Sequence, residues 1–130
     1  MEDIKIYIDK HKISDEKSSD FLDYLYKLVD ERHYKKDSDF YKFADISRAQ
    51  WNSLKSQKHQ PSLNTVLKLV FALKADNHEC KYLLKKAGYT LASSSDYALI
   101  IRYCIENKIY DIDKVNDYLV KYGFTDQLIK

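Results

Sequence analysis

The stretch that most constrains this chain of 130 residues runs from Asp37 to Leu73: DSDFYKFADISRAQWNSLKSQKHQPSLNTVLKLVFAL. Its apolar spacing predicts a short helix, a tight turn at residues 44–46, a second helix, a loop and a third helix. Ser47 opens the second helix three residues before Gln50, the spacing at which a hydroxyl and an amide satisfy each other's backbone N–H groups. The stretch therefore predicts three helices joined by short connections.

The same spacing divides these helices into buried and exposed faces. Trp51 and Leu54 are three residues apart on the second helix, so they share one face and should point into the core. Asp37 is predicted to cap the first helix and Ser62 the third. The other predicted core positions are Phe40, Phe43 and Ala44 on the first helix and Leu63, Val66, Leu67, Val70 and Phe71 on the third. The outer faces of the second helix carry Arg48, Ala49, Asn52 and Ser53.

The segment ADISRAQWNSLKSQKHQPSLNTVLKLVFAL resembles, without a gap, the core of the lambda-repressor-like (XRE) family of helix-turn-helix DNA-binding domains. That family has a turn ending in Ile-Ser, an apolar residue in the middle of the recognition helix, a basic loop, and Pro-Ser-Leu at the start of the next helix. With the preceding helix, the resemblance covers about residues 18–75. The downstream residues 83–119 are similar to small bacterial proteins that carry an XRE-type domain and a short helical tail.

The resemblance implies a sequence-specific double-stranded DNA-binding protein, a transcriptional regulator of bacterial or phage origin, with the helix from Ser47 in the major groove. Its base-facing positions correspond here to Arg48, Ala49 and Ser53. Arg48 would bind a guanine edge with two hydrogen bonds, and Ala49 would contact a thymine methyl. The positions expected to meet the DNA backbone are Gln50, Lys55, Ser56, Lys58 and His59, with Lys35 and Lys36 just before the motif.

Three departures from the family pattern favour an alternative. Asp45 replaces the usual glycine of the turn, although aspartate tolerates a left-handed backbone better than most residues. Tyr41 replaces a small residue, so the two helices must pack around a ring. Asp37 replaces a glutamine and should repel a phosphate. The alternative is a phage or mobile-element inhibitor, anti-CRISPR-like, that uses the same fold to bind a protein or nucleoprotein partner.

Charge is unevenly distributed along the chain, although the formal net charge is only +2. Residues 1–46 carry nine Lys and Arg against twelve Asp and Glu, residues 47–86 carry eight against two, and residues 87–130 carry five against six. A positive segment centred on the second and third helices of the motif indicates a phosphate-binding face. The alternative is a basic surface that only faces solvent.

The remaining chain adds an N-terminal arm and a C-terminal extension. In residues 1–17, Ile4, Ile6 and Ile8 alternate with polar residues, which fits a short strand, a flexible tail or a first helix. Residues 18–75 form the helix-turn-helix domain, and residues 76–130 read as a helical extension packed on it. The predicted fold is all-α, a compact helical bundle. The family pattern also predicts a salt bridge between Asp30 and Lys55.

The extension is rich in tyrosine, a residue favoured both in half-buried positions and at protein interfaces. Helix-turn-helix proteins read paired half-sites as dimers, so a homodimer is expected, formed through this tail or through the N-terminal arm. Under the alternative function, the same tail would bind a protein partner. The interface candidates are Tyr97, Tyr103, Tyr110, Tyr118 and Tyr122.

Several classes of function find no support in the sequence. Cys80 and Cys104 lack metal-ligand spacing and read as reduced thiols, and the histidines have no such spacing either. No glycine-rich loop or nucleophile motif occurs, so we expect no enzyme, no cofactor and no metal. No apolar run approaches the roughly 18 residues that suggest a membrane span, and no signal peptide is evident, so we expect a cytoplasmic protein.

Overall fold

The computed structural model describes Ile4 and residues 21–56, 60–91 and 95–130. From Phe21 onward, these residues form seven α-helices and one short 3₁₀ helix, and no strand occurs among them. The helices are α1 (Phe21–Glu31), α2 (Asp37–Phe43), α3 (Arg48–Ser56), α4 (Leu63–Ala72), α5 (Asn77–Lys86), α6 (Asp96–Glu106) and α7 (Ile112–Lys121), followed by the 3₁₀ helix Thr125–Gln127. The prediction of an all-α fold is confirmed.

The strand predicted in residues 1–17 lies outside the described residues, apart from Ile4, whose side chain is exposed. Within the described ranges, none of the helices combines the length and the apolar character needed to cross a membrane.

Helix α4 lies at the centre of the core. It carries an uninterrupted run of buried residues from Val66 to Phe71, which is the pattern of a helix surrounded by other elements. One cluster of buried apolar side chains connects α4 to α1–α3 on one side and to the C-terminal hairpin, through Ile101 and Leu119, on the other. Helices α1–α4 and the C-terminal extension therefore share one core.

Most of the described helices begin at a side-chain cap. Asp76 and Glu79 form a full capping box at the start of α5, and Ser62 accepts a hydrogen bond from the Thr65 amide at the start of α4. Ser95 and Asp111 cap α6 and α7 in the same way. The predicted cap at Ser62 is confirmed, and each of these caps depends on residues at most three positions apart.

The helix ends share one backbone device. Five helices end in a left-handed residue, after which an amide donates to the carbonyl five positions earlier, the Schellman arrangement. The left-handed residues are Asp45, Lys74, Gly88, Lys108 and Gly123. Three of the five are not glycine, so these turns carry backbone strain that a glycine would remove.

The structure corrects two predictions about α2. Asp37 is not the cap, because Lys36 occupies that position without a side-chain hydrogen bond and Asp37 is the first helical residue. Phe43 is not a core residue, since 61% of it is exposed. Phe40 and Ala44 fill the inward side of this two-turn helix, so Phe43 is left at the lip of a surface pocket beside Asp45.

The predicted Asp30–Lys55 salt bridge is wrong, since these two residues form no ion pair with each other in the structure. The end of α1 is held instead by Arg32, two residues further on. Its Nη2 donates to Glu79 Oε1 at 2.9 Å, and its Nε donates to the Leu73 carbonyl at 2.8 Å. The C-terminal end of α1 therefore contacts the α4–α5 connection rather than α3.

Candidate nucleic-acid interface

The turn between α2 and α3 is held from both sides. Asp45 adopts a left-handed φ of 58°, which aspartate tolerates better than most residues, and the Ile46 amide donates to the Tyr41 carbonyl at 2.8 Å. From α4, the Lys68 ammonium donates to the Asp45 carbonyl at 3.0 Å. This fixed turn sets how α3 leaves α2.

The start of α3 has the predicted reciprocal cap. The Ser47 amide donates to Gln50 Oε1 at 3.0 Å, and the Gln50 amide donates to Ser47 Oγ at 3.1 Å. The cap uses the amide oxygen of Gln50 and leaves its NH₂ group available. Gln50 can therefore combine capping with a contact to an external acceptor such as a phosphate oxygen.

Helix α3 buries one narrow face and exposes the rest. Trp51 and Leu54 are buried, as predicted, whereas every other residue of the helix is exposed. The exposed set comprises Arg48, Ala49, Gln50, Asn52, Ser53, Lys55 and Ser56. Arg48 and Asn52 are four residues apart, as are Ala49 and Ser53, so they form two neighbouring rows on the outer surface. All three predicted base-facing residues therefore lie on one accessible side of α3.

Only some of the residues predicted to contact the DNA backbone lie within the described part of the chain. Lys55 and Ser56 are exposed at the end of α3, where the Ser56 hydroxyl donates to the Ser53 carbonyl at 2.8 Å. Lys35 and Lys36 are exposed in the connection before α2. Lys58 and His59 lie outside the described residues.

Behind α3, three aromatic rings and one carboxylate fix the position of Trp51. Its ring centroid lies 6.0 Å from that of Tyr26, 5.9 Å from that of Phe40 and 5.7 Å from that of Tyr41. Asp37 Oδ2 accepts hydrogen bonds from the Trp51 indole and the Tyr26 hydroxyl. Burial, followed by the hydrogen bond to Asp37, raises the pKa of Tyr26 above its usual value. The expected packing of α2 and α3 around the Tyr41 ring is confirmed.

The positive charge of residues 47–86 is divided among several places rather than gathered beside α3. Arg48 and Lys55 are exposed on α3. Lys68 is buried, and its ammonium donates a hydrogen bond within the turn between α2 and α3. Lys86 lies over the rings of Tyr24 and Tyr82, on the side where α5 packs against α1. The Asp45 side chain is 94% exposed, three residues before Arg48. The local field at the start of α3 is therefore mixed.

Lys68 is the residue that the sequence interpretation missed. Its side chain is nine-tenths buried, and its ammonium lies 3.7 Å from Asp45 Oδ2 as well as within hydrogen-bonding distance of the Asp45 carbonyl. The available signal was a single lysine between Leu67 and Leu69, inside the apolar run of α4. A buried lysine needs a specific acceptor, and the turn provides it.

The interface tyrosines separate into two groups. Tyr97 is a correction, because it is buried and its hydroxyl donates to the Gln127 carbonyl at 3.2 Å, so it offers no surface to a partner. Tyr110 is half-buried against Phe71. Tyr103 and Tyr122 are exposed, and the Tyr103 ring lies 5.7 Å from that of half-buried Tyr118. Tyr103, Tyr118 and Tyr122 therefore form the part of the predicted interface that reaches the surface.

The described residues contain no group of three or more His, Cys, Asp or Glu side chains arranged to hold a metal ion. Cys80 and Cys104 are free and buried, as predicted, and burial raises the pKa of the Cys80 thiol to about 12.

The chain matches no protein-family model, no curated protein and no solved structure. A functional proposal therefore depends on the α2–turn–α3 unit and on the side chains that α3 exposes.

Proposed function

We propose that the chain is a sequence-specific double-stranded DNA-binding protein of XRE type, a transcriptional regulator that inserts α3 into the major groove. The observation that supports this most is the exposure of α3. Only Trp51 and Leu54 of its nine residues are buried, although it is held at its start by the Ser47–Gln50 cap and from behind by Asp37. A helix that is firmly anchored yet almost wholly accessible suits insertion into a groove.

The two outer rows of α3 carry the proposed base readout. Arg48 would donate two hydrogen bonds to a guanine, and Ala49 would contact a thymine methyl. Asn52 lies one turn after Arg48 and would read an adenine, since its side chain provides one donor and one acceptor. Ser53 can donate to or accept from a neighbouring base. An α-helix with its side chains is about 10–12 Å across, which matches the roughly 12 Å width of the major groove.

Phosphate contacts would fix the register of α3 on the duplex without specifying a sequence. The free NH₂ group of Gln50 is placed for one such contact. The other residues proposed for this role are Lys35, Lys36, Lys55, Ser56, Lys58 and His59. Asp45 opposes these phosphate contacts, because its exposed carboxylate repels phosphate. We therefore expect specific DNA binding to depend on a second copy of the chain.

A homodimer would supply that second copy. The exposed rings of Tyr103 and Tyr122, with Tyr118 between the two helices that carry them, form the proposed contact. Two-fold dimers place their recognition helices one DNA turn apart, about 34 Å, or a multiple of it.

Selection of bound duplexes from a random DNA pool tests the proposal. A palindromic consensus that is lost with Arg48→Ala and retained with Arg102→Ala supports it; Arg102 is an exposed arginine on α6, distant in sequence from the motif. A salt series on the selected duplex counts the phosphate contacts. Weak binding without a consensus contradicts it.

A second candidate is the protein-binding inhibitor, and one observation favours it. Phe43 and Asp45, an exposed ring and an exposed carboxylate, flank the turn before α3. Exposed aromatic residues are favoured at protein interfaces, whereas an exposed carboxylate there opposes DNA. Under this candidate, Phe43→Ala and Asp45→Asn abolish partner inhibition while Arg48→Ala leaves it intact.

A further inference from the structure

A groove of about 570 Å³ lies between α5 and α6, far along the chain from the residues proposed to bind DNA. Its apolar lining comes from both helices and from the connection between them: Cys80, Leu84, Tyr89, Leu91, Ala98, Ile101 and Ile105. The Tyr89 hydroxyl donates to the Pro61 carbonyl at 2.7 Å, so its polar end is already satisfied. Because the pKa of Cys80 is about 12, its thiol is neutral and belongs to the apolar lining.

The charged residues that line the groove are all cationic. They are Lys81, Lys85 and Arg102, and no acidic residue lines it. Arg102 is paired with Glu106 at 2.9 Å, and Asn77 donates to the same carboxylate oxygen. In the part of the chain that the structure describes, Lys81 and Lys85 form no ion pair. They are four residues apart on α5, so both ammonium groups lie along one side of the apolar surface.

We propose that this groove binds the free anion of a medium-chain aliphatic carboxylic acid. The hydrocarbon chain lies along the half-buried side chains of Tyr89 and Leu91, and the carboxylate lies between Lys81 and Lys85. Apolar walls with a few convergent polar groups, in a volume between about 300 and 1,000 Å³, are the usual features of a small-molecule site. Unpaired cations beside an apolar floor favour an anion over a neutral or cationic ligand. The groove contains no residue of α2 or α3, so the inference does not rest on the proposed DNA binding.

Titration of the ¹⁵N-labelled full chain with octanoate, decanoate and dodecanoate tests the ligand chemistry. Affinity should rise about fourfold for each added methylene until the groove is filled, with shifts at the amides of α5 and α6. Decanol should bind at least about tenfold more weakly than decanoate, because it lacks the charge that the lysines pair with, and decyltrimethylammonium should not bind. Equal binding of the three head groups, or no binding of any carboxylate, overturns the proposal.

Two variants test the site itself. Lys81→Gln with Lys85→Gln should weaken decanoate binding at least about tenfold, because both cations are removed. Ala98→Leu should fill the groove and abolish binding; because Ala98 is buried, the melting temperature of this variant is measured alongside. The matched control is Lys114→Gln with Lys121→Gln on α7, which removes the same charge outside the groove and should leave the affinity unchanged. Equal losses in the two double variants overturn the proposed position of the carboxylate.

Phosphatidylglycerol vesicles distinguish a free acid from a membrane surface. Saturation by monomeric decanoate with no sedimentation on vesicles is the expected result. Sedimentation on vesicles without binding of monomeric decanoate overturns the proposal.

Discussion

The indole of Trp51 donates a hydrogen bond to the carboxylate of Asp37 across 3.3 Å, linking the buried face of α3 to the first residue of α2. The same oxygen accepts a hydrogen bond from the Tyr26 hydroxyl at 3.1 Å, so a single acceptor joins α1, α2 and α3. From its position in the sequence, Asp37 is expected to repel a phosphate. Its two donors give it a structural role in positioning the helix that carries Arg48.

Replacing Asp37 with alanine should lower the free energy of unfolding by about 2 kcal/mol, because two partly buried donors lose a charged acceptor. Trp51 is the only tryptophan, so its fluorescence during urea denaturation reports the change directly. Asp39→Ala, on an exposed position of the same helix, should change stability by less than about 0.5 kcal/mol. Equal losses in the two variants would show that the hydrogen bonds of Asp37 contribute nothing specific.

Arg32 and Arg102 both form a 2.9 Å ion pair, but only Arg32 should matter for stability. Arg32 is partly buried and also donates to the Leu73 and Leu28 carbonyls, so Arg32→Ala should cost about 2 kcal/mol. Arg102 and Glu106 are exposed and four residues apart on one helix, so Arg102→Ala should cost less than about 0.5 kcal/mol. Denaturation midpoints of the two variants, measured side by side, check this, and the opposite order would be a clear contradiction.

Lys108→Gly should raise stability by about 1 kcal/mol. Lys108 has a φ of 56° at the end of α6, and glycine adopts this conformation without the penalty of a Cβ atom. Gly123→Ala is the reverse experiment, since Gly123 has a φ of 88° and a Cβ built there meets no atom within 4 Å. A loss of about 1 kcal/mol in that variant would therefore measure backbone strain alone. Thermal melts check both signs, and a destabilised Lys108→Gly variant would refute the assignment of strain.

Lys68→Met should loosen the turn between α2 and α3 without unfolding the core. Methionine fills a similar volume but cannot donate to the Asp45 carbonyl, so the Ile46 amide, bonded to Tyr41 in that turn, should exchange its proton at least about tenfold faster. Amide exchange followed by NMR measures this. Lys42→Met, at an exposed position of α2, is the control and should leave the exchange of Ile46 unchanged.

Stability should fall at high pH because Cys80 is buried. Its folded pKa of about 12 lies above the ordinary thiol value, so the unfolded chain releases this proton at lower pH than the folded chain does. The contribution of the protonated Cys80 thiol to the free energy of unfolding is complete below about pH 8.5. It is lost at up to about 1.4 kcal/mol per pH unit as the pH rises toward 12. Urea midpoints at pH 8, 9 and 10 should decline less steeply for Cys80→Ala than for the wild type. Parallel slopes would rule out this linkage.

The features that the sequence predicts correctly are local. The caps at Ser47 and Ser62 require only residues within one helical turn, and the burial of Trp51 and Leu54 follows from their spacing. The accessibility of Arg48, Ala49 and Ser53 follows from the same spacing, because they occupy the other faces of α3.

The features that the sequence predicts wrongly depend on contacts between residues that are distant along the chain. Arg32 and Glu79 are 47 positions apart, and which residue of α1 faces α5 depends on the rotation of α1 about its own axis. Periodicity predicts that Phe43 lies on the apolar face of α2. It cannot show that such a short helix buries only part of that face. Tyr97 belongs to a residue type that is favoured at interfaces. Only the hydrogen bond from its hydroxyl to the Gln127 carbonyl shows that it belongs to the core.

The all-round burial of α4 limits how this chain can be divided. Leu69 is completely buried, and the ring of Phe71 packs 6.5 Å from that of Tyr110 in the C-terminal extension. A fragment ending at residue 75 would expose this side of α4 to water and remove the C-terminal hairpin from the helix that anchors the α2–α3 turn. The α2–turn–α3 unit is therefore not a detachable module: recombination or engineering that moves it to another protein must carry the C-terminal hairpin with it.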